Sequence, residues 1–205
     1  MTRLKIAASA AALMLCMSAC SPGEKAGAPA ATPTAENMLV TDAKAMMANL
    51  ALAPESADVF TIRCDYTLDL ANKMIADLEA RDSVASASDI HFFDTLTNLA
   101  MSIGYGEASV MAEANPDPAI RASGDTCQQR TSDVMTRLSL SRPVYERLSS
   151  IDPATLNERE AFLLARTLRD YRRSGIDKDE QTREKVRAIN ADLAEISTEF
   201  SKNLR

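Results

Sequence analysis

From Asp177 to Arg205 the chain runs for 29 residues without a glycine or a proline, and Val186, Ile189, Leu193, Ile196, Phe200 and Leu204 recur at spacings of three and four. A period of 3.6 admits one local structure, a long helix, and these six residues mark its expected buried face. Asp177-Lys178-Asp179-Glu180 opens it with the acidic pattern of a capping box. Leu204 falls in phase with Phe200, so the stripe is still running at the last residue and a continuation of the chain is expected.

The segments before it repeat this pattern. Val59, Ile62, Tyr66, Leu70, Met74 and Leu78 predict a helix from Ser56 to Arg81, and Ile90, Phe93, Leu96 and Ile103 one from Ser88 to about Met101, loosened at Gly104-Tyr105-Gly106. Asn115-Pro116-Asp117-Pro118 starts a helix through Ile120, Cys127, Val134 and Leu138, and a short one spans Ser141 to Ser149. Asn157-Glu158-Arg159-Glu160 is a capping box before a helix with Phe162, Ala165, Leu168 and Tyr171 on its buried stripe and Gly175 as its left-handed stop. No strand pattern of similar strength occurs. The fold class read from this is all-α, an antiparallel helical bundle or layer.

Composition restricts function more than fold. The 23 basic and 29 acidic side chains give a net charge of −6, which argues against nucleic acid as a partner. The single histidine, His91, cannot form a two-histidine zinc site, and on its helix beside Phe92 and Phe93 it reads as a packed or surface residue. The charges between Arg166 and Arg187 alternate in sign, the pattern of a solvated, salt-bridged surface more than of an anion site.

Residues 1–19 read as a signal peptide. Arg3 and Lys5 precede an apolar run too short to span a bilayer, and small residues follow it. Met17-Ser18-Ala19-Cys20 resembles the bacterial lipobox, with Met17 in place of the usual leucine, which makes Cys20 the lipid attachment site and the membrane a partner through that lipid. Residues 20–36, rich in proline, glycine and alanine, are then a flexible tether, 37–55 an irregular lead-in and 56–205 the helical domain. Ser21 after the lipidated cysteine favours the outer membrane, with the domain in the periplasm. Cleavage removes Arg3 and Lys5 and leaves 21 basic against 29 acidic side chains, a charge of −8. Cys64 and Cys127 remain, and in an oxidising compartment the expected state is a disulfide, the alternative being two buried thiols.

RTLRDYRRSGIDKDEQTREKVRAINADLAEISTEFSKNL, Arg166 to Leu204, resembles the N-terminal helical region of the thimet oligopeptidase family of zinc metallopeptidases, which includes neurolysin, oligopeptidase A and dipeptidyl carboxypeptidase. Its marks are the basic helix end with Gly175, then Arg183, Ile189, Leu193, Phe200, Asn203 and Leu204. Upstream, Pro118 to Arg121 and RTSDVMTRLSLSRPVYERL agree in order and spacing, so the resemblance covers roughly 58–204. It implies the N-terminal part of a two-lobed, mostly helical enzyme that degrades short peptides in a channel, with zinc held by HExxH and a downstream glutamate. His91 is followed by Phe92, Phe93, Asp94 and Thr95, so no catalytic or metal-binding residue carries over and this chain alone is expected to be inactive. The alternative is a stand-alone helical envelope lipoprotein that serves as a binding or scaffold module.

Overall fold

The computed structural model describes residues 34–204. The segment expected to be a signal peptide, the expected lipidation site Cys20 and most of the expected tether lie outside the described residues. Eight α-helices occur within them: α1 (Ala35–Ala48), α2 (Ala57–Ala80), α3 (Ala87–Met101), α4 (Ala108–Ala114), α5 (Pro118–Ser139), α6 (Arg142–Ser149), α7 (Glu158–Arg173) and α8 (Glu180–Asn203). A π-helical stretch, Ser102–Glu107, joins α3 to α4, and a short 3-10 turn, Pro153–Thr155, precedes α7. The described residues contain no strand. The protein is all-α.

The order of the helices follows from which residues meet. Cys64 pairs with Cys127, Asn72 with Arg137 and Glu79 with Ser141, so the numbering rises together along α2 and α5 and these neighbours run parallel. Between them the chain returns along α3, the π-helical stretch and α4, antiparallel to both. There Gly104 packs on Thr131, and Gly124 approaches Ala112 and Ala108 so closely that a Cβ would lie 2.7 Å from the Ala112 nitrogen. The core between these three elements is built on Phe60, Leu68, Met74, Ile75 and Leu78 from α2, Ile90, Phe92, Leu96 and Leu99 from α3, and Leu138 from α5. Helix α1 packs across α2 and α3, and α8 lies along α5.

Several expectations change at this level. Of the expected irregular lead-in 37–55, residues 37–48 belong to α1 and 49–55 are irregular: Thr34 caps α1 by accepting from the Asn37 N–H, and Ala43 is buried. Alanine and methionine are good helix formers, and the neighbouring α2 and α3 give this segment a surface to pack on. On α2 the core face includes Phe60 and Cys64, while Val59, Ile62 and Tyr66 are exposed. Two apolar sets with helical spacing overlap there, and the side on which α1 and α5 pack decides between them.

Helix α3 ends at Met101 as expected, and Gly104-Tyr105-Gly106 loosens the winding without breaking the chain's helical course. The chain continues through a π-helical stretch, whose wider turn seats Gly104 against Thr131 and carries Glu107 into the interior. On α7 the buried residues are Leu164, Thr167 and Tyr171, whereas Phe162 and Ala165 are exposed. The capping box Asn157/Glu160 is present, and Gly175 adopts φ +87°. The last helix starts three residues later than Asp177, capped by Asp179 through the Thr182 N–H.

Candidate interaction surface

Helix α8 owes its placement to the turn before it. Gly175 and Ile176 close α7 with backbone bonds to the carbonyls of Arg172 and Tyr171, a Schellman arrangement that leaves Ile176 fully buried. Arg142 of α6 donates to the carbonyl oxygens of Ile176 and Lys178 and ties this turn to the rest of the fold. The chain then enters α8 at the Asp179 cap and runs back antiparallel to α5.

The face that α8 turns toward α5 is small and polar. Arg183 is its one buried residue, and Val186, Arg187, Asn190, Ala194, Thr198 and Ser201 are half-buried along the same stripe. The stripe expected to be buried is the one left outside: Ile189, Leu193, Ile196, Phe200 and Leu204 are 55–72% exposed. The physical reason is the choice of neighbour. Near Leu193 and Ala194, α5 presents Ser132, Thr136 and Ser139 with a single Met135, and a shallow cleft of about 430 Å³ remains between the helices. Five large apolar side chains in helical register on one exposed face make this the candidate interaction surface, since a lone exposed leucine is ordinary but a continuous patch is not.

The residues singled out in the sequence are dispersed relative to this face. Cys64 and Cys127 are disulfide-bonded in the core, with Cα atoms 6.1 Å apart. His91 stands on the surface, its Nε2 2.8 Å from Glu160 Oε1. The Asn157 N–H and His91 together hold the Glu160 carboxyl below the usual carboxylate range. Among the described residues, no group of three or more His, Cys, Asp or Glu side chains is arranged to hold a metal. Cys20 lies outside the described residues.

Sequence reasoning missed the buried charges. Glu107 is 1% exposed and receives the Arg63 guanidinium at 2.5 and 2.7 Å together with the Ala51 N–H at 3.1 Å. Arg63 also donates to the carbonyls of Met46 and Asn49, so one ion pair fixes the end of α1, the loop after it and the π-helical stretch. Asp89 is fully buried between Arg81 and Arg147, and Arg81 also stacks on Phe92. Only Asp89 had a sequence signal, as the acidic fourth residue of a capping box begun by Ser86. Neither pair offers a nucleophile with a base, and both act as staples. Burial pushes the Tyr171 hydroxyl well above its ordinary value, and this hydroxyl has no hydrogen-bond partner among the described residues.

No protein-family model matches the chain, and no curated protein matches it. Among the described residues, no helix is long and apolar enough to cross a membrane.

Proposed function

We propose that this chain is the non-catalytic, N-terminal helical part of a lipid-anchored zinc oligopeptidase of the cell envelope, and that the outer face of α8 packs against the catalytic part. The observation that carries this reading is the uncovered stripe Ile189, Leu193, Ile196, Phe200 and Leu204. Burying five such side chains would contribute on the order of 10 kcal/mol before association costs, enough to hold two lobes together. The order of the motifs from Pro118 to Leu204 supports the same assignment. Zinc and the water it activates belong to the HExxH-bearing part, and this chain's role is to form a wall that admits short peptides and excludes folded proteins.

The test is the coding frame past residue 205 and the protein it yields. An HExxH with a downstream glutamate, zinc at one equivalent and cleavage of a quenched fluorescent peptide support the reading. In that longer protein, Phe200→Asp should lower the melting temperature and the activity together. A stop codon directly after Arg205, or zinc-dependent cleavage by the present chain alone, would overturn it and leave the scaffold lipoprotein as the better account.

The anchor has its own test. Cys20→Ala should abolish labelling by a fatty-acid probe and release the protein from the membrane fraction. Unchanged fractionation would remove the lipoprotein assignment without touching the peptidase reading.

A further inference from the structure

The charged run before and into α8 is mostly the solvated surface its alternation predicts. Arg166 and Arg169 lie near Asp170 and Lys178 near Asp177, all largely exposed, and the half-buried Arg187 pairs with the exposed Glu180 and Glu184. Arg183 is the exception. It is 7% exposed, it pairs through Nη2 with Glu180, and its Nε–H has no hydrogen-bond partner among the described residues. A guanidinium binds oxyanions best through the adjacent donors Nε and Nη2 used together. In Arg183 that fork is half used.

Arg183 lines a cleft of about 360 Å³ where the last turn of α2, the α5–α6 turn and the first turns of α8 meet. Arg137, Arg142 and Arg187 line it too, against the carboxylates of Glu79 and Glu180. The partners make the excess of positive charge specific. Glu79 is shared between the Ser141 hydroxyl and Arg137. Arg142 donates to two neutral carbonyls, and no carboxylate among the described residues forms an ion pair with it. Glu180 serves both Arg183 and Arg187 from an exposed position at the start of α8. Glu180 meets Arg183 through Oε2 and Arg187 through Oε1, and it leaves the Nε donor of the Arg183 fork unused, the place a better anion would fill.

We infer that this cleft binds a phosphate group, either that of a small phosphorylated solute or that of a phospholipid headgroup, which displaces Glu180 and engages both donors of Arg183. With Glu180 displaced, Arg137, Arg142, Arg183 and Arg187 face Glu79 and, beside Arg187, Glu184, an excess of two positive charges that matches a phosphate better than a carboxylate. The volume exceeds that of one phosphate, which leaves room for the group it is esterified to. This site does not depend on the peptidase reading, because the cleft lies at the α2, α5–α6 and α8 junction and uses none of the exposed apolar face.

Titration of the whole chain with inorganic phosphate at low ionic strength, followed by calorimetry, tests the site. One saturable site is expected. Glu180→Gln removes the competing carboxylate and should tighten binding about tenfold, while Arg183→Lys, which keeps the charge and loses the fork, should weaken it about tenfold. Because Arg183 is buried, each variant is checked by its melting temperature, and the half-buried Arg187→Gln serves as a second loss-of-site variant.

A second arm uses vesicles of phosphatidylglycerol with the full chain carrying Cys20→Ala, so that no anchor contributes. Vesicle binding that phosphate competes away and Arg183→Lys weakens assigns the site to a headgroup. Phosphate binding without vesicle binding assigns it to a soluble phosphorylated ligand. No saturation up to about 10 mM phosphate, or affinity unchanged in both Glu180→Gln and Arg183→Lys, overturns the proposal.

Discussion

Replacing Asp89 by alanine should destabilise the protein by about 3–5 kcal/mol, the range for removing one member of a buried, hydrogen-bonded charge cluster. Asp89 is fully buried and receives Arg81 at 2.9 Å, Arg147 at 2.8 and 3.0 Å, and the Ser86 N–H at 2.9 Å. Arg147 reaches past it to the carbonyls of Arg81 and Ser83, so the carboxylate organises the whole α2–α3 corner. Without it two guanidinium groups, each about one-tenth exposed, lose their shared carboxylate, and among the described residues Asp77 and Glu36 remain as ion-pair partners of Arg81. Asp77→Ala, which removes a more exposed partner of Arg81, should change stability by no more than about 1 kcal/mol. Chemical denaturation of the two variants checks this, and equal effects would show that burial of the charge is not what matters.

The same cluster predicts a direction for acid unfolding. Burial alone would push Asp89 up, but the hydrogen bonds from Arg147, Ser86 and Arg81 outweigh it and hold the carboxyl below its ordinary value of 3.8. A depressed carboxylate stabilises the fold fully above its unfolded pKa, and that contribution is lost as pH falls through the folded value. The wild-type protein should therefore lose stability below about pH 4, and the Asp89→Ala variant should show a shallower loss over that interval.

Helix identity was legible in the sequence, and which face each helix buries was less so. Caps and breakers act within a few residues, so Ser56, Asp117, Ser141 and Asn157 mark helix starts that the structure places within a residue of expectation. Face choice is a tertiary decision. In α2 and α7 two overlapping apolar sets satisfy the same period, and the positions of α1, α3 and α5 select Phe60 over Val59 and Leu164 over Phe162. In α8 the periodicity correctly located an apolar face, but α5 offers hydroxyls there and the helix packs by its small polar side instead. The π-helical stretch left only its glycines in the sequence, which read locally as a helix end because the partner Thr131 is 27 residues beyond Gly104. Buried ion pairs are the least legible of all, since Arg63 and Glu107 are 44 residues apart and look like ordinary surface charges.

Breaking the Cys64–Cys127 disulfide should lower stability by about 4 kcal/mol, the chain-entropy value for a cross-link of this sequence separation, 63 residues. The bond joins α2 to α5 where they run parallel, so no short hairpin otherwise keeps these two helices in register. Both cysteines are almost completely buried, which makes reduction of the native protein wait for opening of the core. A reductant should therefore act slowly on the folded protein and rapidly once denaturant unfolds it. The unfolding midpoint of the reduced chain should fall well below that of the oxidised one, and so should that of the Cys64→Ala, Cys127→Ala double variant, which also loses the packing of two sulfur atoms. Equal midpoints in the presence and absence of reductant, after complete unfolding and refolding, would contradict a stabilising role for the bond. Such a cross-link persists in an oxidising compartment and is lost in a reducing one. The envelope location proposed for the chain is thus also the location in which its α2–α5 pairing would retain this contribution.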